Sequence, residues 1–148
     1  IRDLVRSRGL GDVYKRQLLS AAIVEPLIAA PRPPGVSLVA ADAEPWPHDY
    51  VDEATRLRFG ADGMTVAAIG KHVSPWDALD TGAFLLAPEA WSAVEDSPED
   101  CELSVIFGEL AKRDMLHAVD VSGASWYDVD TVEDLEAASR LIAAGASR

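Results

Sequence analysis

Two aspartates near the end of the chain have the spacing that most directly suggests chemistry. Asp128 and Asp130 lie in segment 125–135, whose pattern indicates a short strand followed by the start of a helix. Side chains on a strand alternate between its faces, so the two carboxylates are expected to point the same way. Two hard oxygen ligands this close could hold a magnesium ion that carries a triphosphate. Acids also favour a helix N-terminus without any ligand, so the spacing alone leaves both interpretations open.

The residues after the two aspartates predict how they are held. Thr131 has the side chain of a helix N-cap, and Asp134, three residues later, completes a box-like cap. The predicted helix runs over 132–144, with Gly145 beyond its end.

The rest of the chain predicts the scaffold. Apolar spacing and breaker residues alternate between helix and strand patterns, which predicts an α/β fold on a parallel sheet with flanking helices and one β-hairpin. The predicted helices are 20–30, 88–95, 103–112 and 132–144, and the predicted strands are 36–40, 55–59, 64–69, 83–86, 115–121 and 126–128.

Charge and composition restrict the function classes. The 148 residues carry a formal net charge of −12, which argues against nucleic-acid binding because that function needs a basic surface. An acidic surface also repels nucleotide phosphates unless a cation intervenes, although it equally suits an ordinary cytosolic protein. A single cysteine, Cys101, excludes an internal disulfide. With no signal-peptide pattern visible, a cytoplasmic location is expected.

Two further places have residues suited to binding a phosphorylated ligand. Lys71 follows the second hairpin strand, where its ammonium could reach a phosphate or simply be solvated. Asp80, Thr81 and Gly82 come just before a predicted strand. There Asp80 could accept hydrogen bonds from hydroxyl groups and Gly82 would allow close approach to the backbone, but the three residues could equally form only a tight turn.

Four motifs occur together in a characteristic order: 51–55 (VDEAT), 68–71 (AIGK), 78–84 (ALDTGAF) and 126–131 (WYDVDT). In this order they resemble the C-terminal half of a nucleotidyltransferase domain of the glycosyltransferase-A-like type. The likeness is greatest to CTP:inositol-1-phosphate cytidylyltransferases. The resemblance implies a partial Rossmann-like sheet over 18–148 whose N-terminal nucleotide-binding half is missing.

The resemblance also implies roles. It places Lys71 against the phosphate of the acceptor alcohol and the turn at Asp80, Thr81 and Gly82 against the acceptor. Trp126 is expected in the core or in a pocket wall, because a large aromatic side chain beside a site commonly shapes it. Magnesium would be held by Asp128, the stronger candidate, together with Asp130.

The implied reaction is transfer of a nucleotide from a nucleoside triphosphate, CTP above all, to inositol 1-phosphate, giving a CDP-alcohol and pyrophosphate. The alternatives are a sugar-1-phosphate nucleotidyltransferase and a non-catalytic α/β ligand-binding module. In the resembled family, this domain is often fused to a membrane CDP-alcohol phosphotransferase.

Residues 1–17 are expected to lie outside the domain, because they resemble a translated sequencing adapter. The resembled family has an Asp-His pair, with the first metal ligand, where this chain has Arg16 and Gln17. The fragment is therefore expected to be inactive alone.

Overall fold

The computed structural model describes residues 17–45, 54–96, 101, 103–129 and 131–143. Four helices lie in these segments: α1 (Ala21–Ala29), α2 (Ala90–Glu95), α3 (Leu103–Lys112) and α4 (Val132–Ala143). The strands are β1 (Gln17–Leu19), β2 (Ser37–Asp42), β3 (Arg56–Phe59), β4 (Val66–Gly70), β5 (Ala78–Leu85), β6 (Leu116–Asp120) and β7 (Trp126–Asp128). The predicted alternation of helices and strands is confirmed, as is the hairpin, formed by β3 and β4.

The main sheet has five strands in the order β4-β3-β5-β2-β6, and β1 pairs with β7 in a separate two-stranded ribbon. Within the described residues, β2 and β6 form the only parallel pair of this sheet, and its other pairs are antiparallel. The expectation of a parallel sheet is therefore wrong for this part of the chain. The fold is mixed α/β, because a hairpin and an antiparallel β5 surround the single parallel pair.

The sheet is covered on both faces. Helices α2 and α3 pack on one face, where Leu57, Leu110 and Leu116 are fully buried. Helix α1 and the ribbon cover the other face, where Ile23 and Leu38 are the most deeply buried large side chains. Strand β2 lies between these layers, and all six of its residues are buried. A strand covered on both faces reads as a continuous apolar run, which explains the sequence of β2.

The sheet curls until its two outer strands meet at one end. Thr65, just before β4, forms an isolated bridge with His117 in β6, and the Ala118 N–H donates to the carbonyl of Met64. The hairpin turn beside this closure is fixed by Asp62, which accepts from the Thr65 hydroxyl (2.6 Å) and from two backbone N–H groups. The Thr65 hydroxyl foremost, and then these N–H groups, lower the pKa of Asp62 to about 2.

Some element boundaries differ from the prediction. Strand β5 begins at Ala78, five residues before the predicted start at 83, so the segment 80–82 lies inside a strand rather than before one. Helix α2 begins at Ala90, and Pro88 lies in the preceding turn. Among the described segments, no helix combines the length and apolar character needed to cross a membrane.

Candidate active site

Strand β5 carries an irregularity at the predicted acceptor-binding residues. Val39 of β2 pairs with Phe84, whereas Ala41 pairs with Asp80, so residues 81–83 bulge opposite a single residue of β2. Gly82 has a φ of 80°, a backbone conformation that side chains disfavour. Bulges of this kind redirect side chains and are common beside active sites. The predicted turn-like backbone at Asp80, Thr81 and Gly82 is therefore present, but it is part of a strand.

The bulge uses its own polar side chains internally. The Thr81 hydroxyl is fully buried and donates to the Ala40 carbonyl (3.0 Å), while one Asp80 carboxylate oxygen accepts from the Gly82 N–H (2.7 Å). These bonds hold the backbone of the bulge in one conformation. The Thr81 hydroxyl is used within the protein, so only the main chain of Thr81 remains for a ligand.

Strand register aligns the other candidates in one row across the sheet. Gly70 pairs with Arg56, Arg56 with Leu79, and Leu79 with Asp42. Lys71 directly follows Gly70 and is exposed, so it lies beside the same row as Asp42, roughly 14 Å away along the sheet at the usual strand spacing. We call this row the charged rim; it comprises Asp42, Arg56, Lys71 and Asp80.

The charged rim lies at the carboxyl end of β2, and β4, which runs antiparallel to β2, reaches it from the opposite direction. In open α/β sheets, ligands bind outside the carboxyl ends of the strands. The rim therefore has the position expected of a binding site, with basic and acidic groups both present.

The ribbon meets the charged rim through one hydrogen bond. The Trp126 indole Nε1–H donates to a carboxylate oxygen of Asp42 (2.9 Å), and the other oxygen accepts from the Glu44 N–H (3.0 Å). Asp42 is only 3% exposed. The partly buried Trp126 ring also packs on the core beneath α1, and its place in a pocket wall stays a prediction.

Asp128 ends β7, two residues after Trp126 and on the same strand face. Its side chain is half-buried, and the register places Gln17 of β1 directly opposite it. The carboxylate expected from the family resemblance was assigned to position 16, next to this pair. Arg16 and Asp130 both lie outside the described residues, so the pairing of Asp128 with Asp130 stays a prediction.

The cap after the ribbon is confirmed. The Thr131 hydroxyl accepts from the Asp134 N–H (3.1 Å), and the Asp134 carboxylate accepts from both the N–H and the hydroxyl of Thr131. This reciprocal box begins α4 directly after the predicted metal ligands.

The acceptor residues and the ribbon lie toward different faces of the sheet. Asp80 pairs with Ala41, which belongs to the core beneath α3, and directly opposed side chains share a face. Asp42 and Trp126 lie on the α1 face. A ligand that contacts both Asp80 and the ribbon would therefore have to cross from one face of the sheet to the other at the charged rim.

The described residues contain no group of three or more His, Cys, Asp or Glu side chains arranged to hold a metal ion. Magnesium does not need such a cage, because it keeps several waters and commonly binds one or two carboxylates together with substrate phosphates. A half-buried carboxylate at a strand end fits that mode of binding. Asp128 is thus a suitable ligand by chemistry.

Two charged residues of the rim were not identified from the sequence. Arg56 was taken only as part of the hairpin, and Asp42 was not considered. Asp42 could have been noticed as the first charged residue after the buried run 36–41. Its partner Trp126, however, is 84 residues away along the chain, so no local sequence pattern predicts the contact.

The fold is of the glycosyltransferase-A-like type found in two solved structures. The chain superposes on the inositol-1-phosphate CTP transferase from T. maritima with a TM-score of 0.69 and 18% identity, over 86% of this chain and 51% of that one. It also superposes on a protein from Bacillus anthracis described as a glucose-1-phosphate thymidylyltransferase, with a TM-score of 0.62 and 19% identity, over 84% of this chain and 50% of that one.

Sequence similarity leads to a narrower group of proteins. The chain is 35% identical over 138 residues to the bifunctional IPC transferase and DIPP synthase of Archaeoglobus fulgidus, covering 93% of this chain and 25% of that protein. It is 33% identical over 130 residues to the protein of the same name from Thermococcus kodakarensis, covering 88% of this chain and 27% of that protein. No family model matches the sequence.

The chain spans about a quarter of the length of these relatives and about half of the superposed structures. The fold is therefore shared with the two superposed structures, and the sequence is similar to part of the two relatives.

Proposed function

We propose that this chain supplies the acceptor side of a magnesium-dependent nucleotidyl transfer site. The nucleotide donor is CTP and the acceptor is inositol 1-phosphate, giving a CDP-alcohol and pyrophosphate. The observation that supports this most strongly is the agreement of two comparisons. The sequence relatives are named IPC transferases, and a structure with a TM-score of 0.69 is an inositol-1-phosphate CTP transferase.

The chemistry needs no protein nucleophile. An oxygen of the acceptor phosphate attacks the α-phosphorus of CTP in line, the bond to the β-phosphate oxygen breaks, and pyrophosphate leaves. Such a reaction depends on positioning the two anions and neutralising their charge. Magnesium, when bound, would supply most of that neutralisation.

Each candidate residue has a defined task in this proposal. Asp128, with Asp130, would hold the metal, and Lys71 would contact the acceptor phosphate from the far side of the charged rim. The bulge would present its backbone and Asp80 to the acceptor hydroxyls. Trp126 would form the wall between the metal and the core.

The proposal extends to the parts of the protein outside the described residues. Residues 1–17 would be foreign to the natural domain, although Gln17 pairs with Asp128 in the ribbon. The missing N-terminal half would bind the nucleotide, so the 148-residue chain would be inactive alone. A cytoplasmic location and a fused membrane phosphotransferase domain belong to the same proposal. The bifunctional names of the relatives are compatible with the fusion.

The first experiment is to sequence the source DNA upstream of the codon for Leu18 and to express the protein with the recovered sequence. Pyrophosphate release would be measured with CTP, UTP or GTP and with inositol 1-phosphate or glucose 1-phosphate. We expect turnover with CTP and inositol 1-phosphate, and loss of turnover when magnesium is removed with a chelator. Preference for glucose 1-phosphate would instead indicate a sugar nucleotidyltransferase, and no transfer with any pair would indicate a binding module.

Two substitutions in that protein test the site residues. Asp128→Asn should lower kcat on the order of 100-fold or more, the scale for losing one fixed charge-stabilising group, while the exposed Glu133→Gln on α4 serves as its control. Lys71→Met should weaken inositol 1-phosphate binding, with Lys112→Met, on the exposed side of α3, as its control. Full activity of Asp128→Asn would contradict the metal assignment.

A further inference from the structure

We propose that Asp42 is a positioning residue that sets the place of the metal-binding ribbon through Trp126. The inference rests on the proposed function, since it gives Asp42 a role in the transfer reaction. Asp42 itself would contact neither substrate nor metal.

The first argument is the environment of the carboxylate. Asp42 ends the central strand β2 and is 3% exposed, which is rare for an ionisable side chain. Both of its oxygens accept hydrogen bonds, one from the Trp126 indole and one from the Glu44 N–H. Burying a charged group costs free energy unless it is well hydrogen-bonded, so these contacts are needed to keep Asp42 in place.

The second argument is the weak support of the ribbon. Strands β1 and β7 have three residues each, and β7 has no fully buried residue. The ribbon is tied to neighbouring elements by the packing of Leu19 and Trp126 on the core beneath α1 and by the hydrogen bond from Trp126 to Asp42. Isolated two-stranded ribbons are marginal in water, so the position of β7 depends on such ties.

The third argument is distance. Asp128 follows Trp126 by two residues in the same strand, so their Cα atoms are about 7 Å apart and their side chains share a face. A rotation or shift of the indole therefore moves β7 and carries Asp128 with it. Sites held by side chains that are themselves fixed by packing and hydrogen bonds keep their geometry best.

The chemistry of Asp42 makes an aspartate specifically necessary. Asparagine has the same size but only one acceptor oxygen, so it can satisfy either the indole or the Glu44 N–H and must leave the other without an acceptor. Asp120, at the end of the adjacent strand β6, provides a matched comparison. Its carboxylate accepts from the N–H and hydroxyl of Ser122, and Trp126 is not among these partners.

The experiment measures kcat and KM for CTP and inositol 1-phosphate in the protein with its recovered upstream sequence. Asp42→Asn and Trp126→Phe should each lower kcat about 10- to 100-fold, the usual cost of losing support for a metal ligand. Both KM values should stay within about threefold, and Asp120→Asn should remain close to the unsubstituted protein. Because the two residues act as a unit, the double variant should be no worse than about the poorer single variant.

A second measurement needs no activity. In tryptophan-labelled protein, the Trp126 indole N–H signal, assigned by its loss in Trp126→Phe, should exchange with solvent faster in Asp42→Asn than in Asp120→Asn. If Asp42→Asn fails to fold, Trp126→Phe still tests the inference, because it removes the donor and keeps a ring in the core.

The outcomes separate the two proposals. An active unsubstituted protein in which Asp42→Asn and Trp126→Phe keep kcat within about threefold would overturn the inference and leave the proposed function intact. A double variant whose loss is the product of the single losses would overturn it too. An inactive unsubstituted protein would overturn the proposed function, and the positioning role of Asp42 in the reaction with it, even if the exchange measurement still showed the hydrogen bond.

Discussion

Strands β2 and β7 both end in an aspartate, but the two side chains have different environments. Asp42 ends a strand whose six residues are all buried between β5 and β6, and both of its oxygens bond to protein N–H groups. Asp128 ends a strand of three half-buried residues that, within the described part of the chain, pairs only with β1. The comparison indicates that the acid on the interior strand is held by protein N–H groups on both oxygens, while the acid on the peripheral ribbon is only half-buried.

The sharpest way to test this contrast is to remove apolar side chains from each region. Leu38 in β2 is 1% exposed, so Leu38→Ala should lower the free energy of unfolding by about 2–5 kcal/mol. Leu18 in β1 is half-buried, and Leu18→Ala should cost less than about half as much. Urea unfolding of the chain measures both. Equal losses would show that the ribbon is as firmly packed as the sheet.

The bulge beside β2 should be the next most sensitive feature. Gly82→Ala forces a side chain into left-handed backbone geometry and should destabilise the chain by about 1–2 kcal/mol. Gly108→Ala is the control, because a Cβ there meets no atom within 4 Å. Alanine inside helix α3 should stabilise the chain by about 0.5–1 kcal/mol. The same unfolding assay should therefore give shifts of opposite sign.

The next feature to test is the N-terminal cap of α4, which directly follows the ribbon. Thr131→Ala removes the hydroxyl that accepts from the Asp134 N–H and should cost about 1 kcal/mol. Ser139→Ala, on the exposed surface of the same helix, should change stability by less than about 0.5 kcal/mol. Circular dichroism during thermal unfolding would compare them. A neutral Thr131→Ala would mean that the box does not support α4.

The smallest effect is expected at the hairpin turn, far from the ribbon. Hydrogen bonds lower the pKa of Asp62 from 3.8 to about 2, so its contribution to stability is complete above about pH 4 and is lost as the pH falls toward 2. Asp62→Asn should therefore reduce the slope of Tm against pH between pH 4 and 2 and leave the slope above pH 5 unchanged. Glu25→Gln, exposed on α1, is the control. An unchanged acid slope in Asp62→Asn would contradict the assignment.

Local patterns predicted the parts of the fold that depend on local physics. The hairpin, the cap at Thr131 and the helix over 103–112 follow from turn residues, capping chemistry and helical spacing, and each is present. The antiparallel pairing of β5 was missed because helix and strand alternation does not fix strand direction. The place of Asp80 and Gly82 was misjudged because a bulge exists only relative to the partner strand β2.

The candidate site was also predicted only in part. Lys71, Asp80 and Asp128 were identified from motif order, and the strand register places Lys71 and Asp80 along the charged rim. Asp42 was missed because its meaning comes from an indole 84 residues away. Contacts of that kind are set by the tertiary fold and leave no trace in residue spacing.

The closure between Thr65 and His117 has a consequence for solubility. Unpaired outer strands of a sheet offer free N–H and C=O groups on which another molecule can build, and this is a common route to aggregation. Here the residues at the start of β4 and within β6 bond to each other, so one end of both outer strands is already occupied. This pairing therefore protects the start of β4 and part of β6 against intermolecular strand addition.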